Sequence, residues 1–339
     1  MMSENPPSGL PFSVLDLATV GEGHTPADTF RNSLDLARHV ERLGYTRFWV
    51  SEHHNMAGVA SSAPPVLIGY LAGGTQTIRV GSGGIMLPNH SPLVVAEQMG
   101  TLATLYPGRI DLGLGRAPGT DPVASRAIRG VRFDAGQDFP RDIQQLQAYF
   151  SADNRHAPVR AIPGEGLDIP IYILGSSTES AYLAGLLGLP YAFASHFAPT
   201  QLFAALKRYR DNFRPSAVLA EPYAIACVNV VAADTDAEAE HLGTTLQQLM
   251  LGVVTGKRQL MQPPVDSMDH LWSPAERQYV EQMLAVSFIS GPERLEKDIA
   301  HFLQQTQVNE LMAVSHIYDH QARLKSYELL AGVLRGVPA

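Results

Sequence analysis

The chain has 339 residues, 45% hydrophobic and 17% charged, with a formal net charge of −8. That length suits one large α/β barrel or two ordinary domains, and a core of that size needs no disulfide or metal staple. The acidic balance argues against a nucleic-acid or anionic-membrane surface, and the single cysteine, Cys227, excludes a disulfide framework or a thiolate metal cluster. With no basic-then-apolar leader and no apolar run of transmembrane length, a cytoplasmic location is the expectation.

Residues 1–10 read as a polar leader, and the strand-like run 11–17 (PFSVLDL) follows. Thr25-Pro26 starts a first helix, with Thr25 as N-cap and proline at the first helical position; Phe30, Leu34, Ala37, Val40 and Leu43 share its inner face. The spacing then predicts strands at 47–51, 79–84, 110–114, 170–174, 190–194, 222–231 and 310–314. Helices are expected at 64–75, 91–105, 138–150, 176–187, 199–213, 236–251, 274–286, from 291, and at 320–334, with 117–122 (APGTDP) as a loop. The strands are apolar without clean alternation and helices separate them, which marks a parallel sheet covered by helices. Eight such units favour a closed (β/α)8 TIM barrel, one domain with its core over about 11–334. No Gly-x-Gly-x-x-Gly follows the first strand, which weakens a dinucleotide-binding reading. Residues 257–286, after strand seven, form an insertion long enough to be a lid.

In such a barrel the chemistry sits at the C-terminal strand ends. Glu52-His53-His54 follows strand two. Adjacent strand positions face opposite ways, so the two histidines do not converge on one metal ion; His53 aimed into the pocket as acid or base, with Glu52 or His54 behind it, suits the spacing better. Gly83 and Gly84 end strand three, either for a tight turn or to lay bare backbone under a planar ligand. Gly115-Arg116 ends strand four, the arginine either paired to Asp111 or Asp121 or clamping an anion. Ser176, Ser177 and Ser180 open the helix after strand five. There Ser176 and Glu179 have capping-box spacing, and Ser177 and Ser180 are left for a phosphate at the helix start. His196 ends strand six, over a ligand ring or in the core, while Trp49, Met86, Tyr191, Phe193 and Phe197 read as core or wall.

Taken together, SEHH (51–54), VGSGGIMLPNHSPLVVAEQ (80–98), LYPGRIDLGLGRAPGTDP (105–122), ILGSSTESAYLAGLLGLPYAFASHF (173–197) and SGPERL (290–295) resemble the bacterial luciferase-like flavin-dependent monooxygenases, specifically the single-chain luciferase-like oxidoreductases. The resemblance covers about 11–334 and implies a (β/α)8 barrel that binds reduced FMN at the strand C-termini. It puts the catalytic histidine on His53, the phosphate-binding arginine on Arg116 and the phosphate-binding hydroxyls on Ser177 and Ser180. The family often has a non-prolyl cis peptide under the flavin ring, which falls here at or beside Gly83-Gly84. The implied chemistry uses reduced FMN from a separate flavin reductase and O2 to form a C4a-hydroperoxyflavin that oxygenates a small organic substrate. Gly115 stands where the luciferase has a reactive cysteine, Ser176 where it has an acid and Ser195 where it has a tryptophan, which argues against light emission and a long-chain aldehyde substrate. Relatives often pair through the helices after strands two and three, so the resemblance suggests a homodimer. The rival readings are a deazaflavin-dependent oxidoreductase of the same superfamily and a non-catalytic flavin-binding protein.

Overall fold

The structure, a computed structural model, describes residues 9–130 and 138–336; most of the expected leader lies outside the described residues. In chain order the elements are β1 (Phe12–Asp16), α1 (Pro26–Arg42), β2 (Arg47–Val50), α2 (Pro64–Gly74), β3 (Arg79–Met86), α3 (Pro92–Leu105), β4 (Ile110–Gly115), α4 (Pro122–Arg129), α5 (Phe139–Phe150) and β5 (Ile171–Gly175). There follow α6 (Thr178–Leu187), β6 (Tyr191–Phe193), α7 (Leu202–Asp211), β7 (Ala224–Ala232), α8 (Asp236–Thr255), α9 (Pro274–Met283), β8 (Ser287–Ser290), α10 (Pro292–Thr306), β9 (Glu310–Val314) and α11 (His320–Arg335).

Eight strands close a parallel ring in the order β1-β2-β3-β4-β5-β6-β7-β9, because β9 pairs with β1 on one side and with β7 on the other. This is the expected (β/α)8 barrel. The ninth strand, β8, lies outside the ring on the far half of β7, where Asn229–Ala232 pair with Ser287–Ser290. It was not foreseen: its four residues follow a helical run directly, and only a long β7 running past the ring gives them a partner. The unforeseen α4 begins on Asp121, whose carboxylate accepts from the Val123 and Ala124 N–H groups, with Pro122 at the first helical position. The residues that start this helix are the same ones that read as loop. In α1 the Thr25 cap is found as expected and completed by Asp28 as a capping box.

Two apolar layers build the body. The larger lies between strands and helices and includes Phe48, Leu71, Ile85, Leu114, Phe139, Tyr191 and Tyr209. The smaller fills the barrel bore with Leu15, Trp49, Tyr172, Ala192, Ile225, Cys227, Met312 and Val314. Below it, at the N-terminal end of the ring, Arg47 bridges Glu310 (2.8 Å) and Asp111 (2.7 Å) and donates to the Tyr172 hydroxyl (2.7 Å). Tyr223 and Ser13 also donate to Glu310, and Trp49 and Arg79 donate to Asp111. The bore is therefore plugged at its N-terminal end by apolar and ionic groups.

Candidate active site

At the C-terminal rim, Glu52 is the hub of the β2 tip. Its fully buried carboxylate accepts from His54 Nε2 (2.9 Å), His90 Nε2 (2.9 Å), Asn89 Nδ2 (3.2 Å) and the Met86 backbone N–H (3.0 Å). Burial pushes its pKa up, but the bonds from His54 and His90 and the N–H of Met86 bring it down to about 2. His54 therefore braces Glu52, the outer role expected for one of that pair. The neighbouring loops close in on the same tip. Gly119 has φ +65°, and a Cβ there would stand 2.6 Å from the Glu52 carbonyl oxygen, so only glycine fits.

His53 points elsewhere. Its Nδ1 is buried with no hydrogen-bond partner, and its pKa is lowered chiefly by burial, with the Gly119 carbonyl opposing and the Arg258 charge adding. His196, in the turn after β6, is 8% exposed and its Nδ1 is likewise unpartnered. Burial, followed by the charges of His316 and His53, lowers the His196 pKa to about 3. His316 follows β9; burial and then the Arg323 charge lower it to about 4, against Asp16. Thus β2, β6 and β9 bring three neutral imidazoles to one rim. Sequence reasoning singled out the first two and missed His316. A signal was present, since the same Ser-His pair ends two strand runs, AFASH at 192–196 and LMAVSH at 311–316. Ser315 Oγ is also buried without a partner. Among the described residues no group of three or more His, Cys, Asp or Glu is placed to hold a metal ion.

The peptide joining Gly83 to Gly84 is cis, at the place the resemblance indicates. A Cβ on Gly84 would lie 2.3 Å from Leu174 and 2.6 Å from the Gly113 carbonyl; one on Gly83 would lie 2.7 Å from Leu15. Gly84 is thus required by close packing against the β4 backbone, whereas a Cβ on Gly83 would press on the side chains of Leu15 and Trp49.

β4 and β5 are neighbours, pairing Leu112 with Ile171 and Leu114 with Ile173, so Arg116 and Ser176 follow adjacent strand ends, Ser176 just before α6. Arg116 is exposed and has no hydrogen bond or ion pair among the described residues. Neither suggested acid pairs with it: Asp111 is taken by Arg47 and Arg79, and Asp121 caps α4 and accepts from Asn55 (2.8 Å). The serines need correction. The N-cap of α6 is Ser177, not Ser176, and its side chain accepts from the Ser180 N–H. Ser180 is not free either. Its hydroxyl donates to the Ser177 carbonyl (2.8 Å) and meets the Tyr191 hydroxyl (3.1 Å), because the turn folds it inward under Gly175. Of these three serines, Ser176 is the one whose hydroxyl has no hydrogen bond among the described residues. Glu179 shares this helix start, its carboxyl lowered by its own backbone N–H and by the Thr178 and Ser177 hydroxyls.

The segment 257–273 crosses the rim as a strap. Met261 exchanges backbone bonds with the β1 loop, donating to Val20 (2.9 Å) and accepting from Glu22 (2.8 Å). Thr245 of α8 donates to the Gln262 carbonyl (3.1 Å) and Gln248 to that of Pro263 (2.9 Å).

The luciferase-like monooxygenase family model matches residues 10–332. A luciferase-like monooxygenase of Escherichia coli (strain K12) is 51% identical, the match covering 95% of this chain and 96% of that protein. The N-acetyl-S-alkylcysteine monooxygenase of Bacillus subtilis (strain 168) is 32% identical over 94% of this chain and 97% of its own. The solved structure of apo-MsnO8 superposes with a TM-score of 0.90 at 36% identity, covering 97% of this chain and all of that one. Two remoter structures share the fold alone. One is the FMN complex of the oxygenating constituent of 3,6-diketocamphane monooxygenase from Pseudomonas putida (TM-score 0.73, 18% identity, covering 97% and 99%). The other is an F420-dependent secondary alcohol dehydrogenase (TM-score 0.69, 14% identity, covering 96% and 99%). The chain belongs to the luciferase-like monooxygenase family.

Proposed function

From that membership, we propose that this chain is an FMN-dependent monooxygenase that takes reduced FMN from a separate flavin reductase and oxygenates a small organic substrate with O2. Bound reduced FMN supplies two electrons to O2, so that one oxygen atom enters the substrate and the other leaves as water. The observation that carries the reading is Arg116, an arginine at a strand tip with no protein partner among the described residues, after the strand next to the one that leads into α6. A guanidinium so placed fits a phosphate monoester, and Ser176 supplies a further donor. Ser177 caps the helix and shapes the turn, while Glu179 is an acid that an incoming phosphate must displace or turn aside. On the other side of the mouth, His53 stays neutral at pH 7 and keeps Nδ1 free to hold or pass a proton. His196 and His316 keep that side neutral and polar without bringing charge to it.

Anaerobic titration with photoreduced FMN and, separately, with reduced deazaflavin tests the cofactor. Admission of isotopically labelled O2 with a reductase and a substrate panel tests the reaction. Tight binding of reduced FMN and one labelled oxygen in a product are expected. Arg116→Ala weakens FMN binding about ten- to a hundredfold, the worth of one charge-assisted contact. Binding of deazaflavin with none of FMN moves the chain to a hydride-transferring oxidoreductase. Binding of FMN with no product across the panel leaves a flavin carrier.

A further inference from the structure

We propose that Arg258, on the strap over the mouth, anchors a substrate carboxylate, making the natural substrate a small organic monocarboxylate that reacts close to His53. This rests on the monooxygenase reading of the same mouth and adds the chemical class of its substrate.

The position of Arg258 is built. Three residues on, Met261 is buried and bonded on both sides to the β1 loop. One residue on, the Gln259 carbonyl lies against the β2 loop, 3.0 Å from where a Cβ on Gly58 would stand. Just before these two fixed points, the exposed guanidinium of Arg258 rests on the thioether of Met56, Nη1 to Sδ 3.2 Å. It has no ion pair among the described residues. The acids of the neighbouring loops have other partners: Glu52 is enclosed by four donors, Glu22 accepts from Gln262 (3.4 Å), and Glu276 caps its own helix beside Lys257. Arg258 is thus an exposed, unpaired cation resting on the loop that follows His53, close enough for its charge to lower the His53 pKa.

The flavin phosphate does not account for it. Arg116 and the start of α6 lie at β4 and β5, whereas Arg258 lies over the loops of β1 and β2. Strands stand about 4.8 Å apart, so β2 and β4 are separated by roughly 10 Å along the ring. Two cations that far apart, on either side of the cis Gly83-Gly84 peptide, suit two different anionic groups. A planar fork resting on a thioether matches a carboxylate.

The test reads binding and titration, so it does not depend on turnover. Monocarboxylates, including aliphatic acids and N-acetyl-S-alkylcysteines, are titrated beside their own amides by calorimetry into the protein with FMN bound. The expectation is that at least one acid binds about tenfold or more tighter than its amide. Arg258→Gln removes that preference, Arg258→Lys keeps part of it, and Lys257→Gln, a neighbouring cation turned to Glu276, leaves it intact. In parallel, His53 is titrated by NMR. The groups facing it are Glu52 and His54 of its own loop, the Gly119 carbonyl, His196 and Arg258. Since the Arg258 charge lowers the His53 pKa, Arg258→Gln raises it, and a bound carboxylate raises it in the parent protein. The proposal is overturned if no acid is preferred over its amide, if the preference survives Arg258→Gln, or if the His53 titration ignores that substitution. A carboxylate preference without oxygen transfer would instead count against the monooxygenase reading alone.

Discussion

Among single residues, His53 carries the strongest functional expectation, and His196 and His316 test the same environment through stability. His53→Ala should lower turnover by about a hundredfold or more, the usual scale for losing a positioned proton carrier. Reduced-FMN affinity should change little, because the phosphate contacts proposed for Arg116 and Ser176 are at another part of the rim; a mere flavin carrier would lose nothing. The titration of the other two has a definite sign. Their folded pKa values, about 3 for His196 and about 4 for His316, lie below the ordinary 6.5. The unfolded chain therefore binds more protons in that window, and stability is full above pH 6.5 and falls as the pH drops towards 4. Each should cost on the order of 2 kcal/mol by pH 4.5. Urea midpoints measured from pH 7.5 to 4.5 should fall steeply, and His196→Asn should flatten the slope. A midpoint independent of pH over that range would show that the imidazoles are solvated. His53 was legible because a Glu-His-His triplet directly after a strand restricts which ring can face inward. His316 was not, because its value depends on meeting residues from β2 and β6, and no local spacing announces that.

Whole elements were legible where a local stop or start signal exists and obscure where a neighbour defines them. Thr25-Pro26 and Ser91-Pro92 each mark a helix start in the sequence, and α1 and α3 begin at those prolines. Helix α6 shows the limit. Ser176 and Ser177 both satisfy a cap pattern, with Glu179 and Ser180 three residues on, and the one-residue difference decides which hydroxyl stays free. Folding selects Ser177 because Ser180 then tucks beneath Gly175 onto Tyr191. Ser180→Ala should thus cost about 1 kcal/mol of stability, the typical worth of a buried hydrogen bond, with FMN affinity nearly unchanged. Ser176→Ala should do the reverse, weakening FMN binding several-fold at constant stability. Denaturant melts and FMN titrations of both variants separate the assignments; a large affinity loss in Ser180→Ala would restore the phosphate role to that hydroxyl.

For the whole molecule, eight β/α units could be counted from the sequence, but what closes them could not. Closure depends on β9 meeting both β1 and β7, and it is reinforced at the base by Arg47, Asp111, Tyr172, Tyr223 and Glu310, which come from five separate parts of the chain. Each looks unremarkable in its own segment; Arg47 and Glu310 simply begin strands. Burial would weaken the Arg47 charge, and Glu310 followed by Asp111 more than offset it. The pair need not add net stability over a well-packed apolar plug, because desolvation of both charges consumes most of their attraction. Removing one side alone is different. Arg47→Met leaves Glu310, at 0% exposure, with hydrogen-bond donors but no cation, while Asp111 keeps Arg79. It should cost about 3–5 kcal/mol. Adding Glu310→Gln should recover a good part of that, since the amide needs no counter-charge and can still meet Tyr223 and Ser13. Urea unfolding of the two single variants and the double variant measures the coupling directly. Equal costs for Arg47→Met with and without Glu310→Gln would mean that packing, not charge, holds the base of the barrel. At temperatures where each variant is folded, reduced-FMN affinity should match the parent's, because the plug and the histidine rim lie at opposite ends of the same strands.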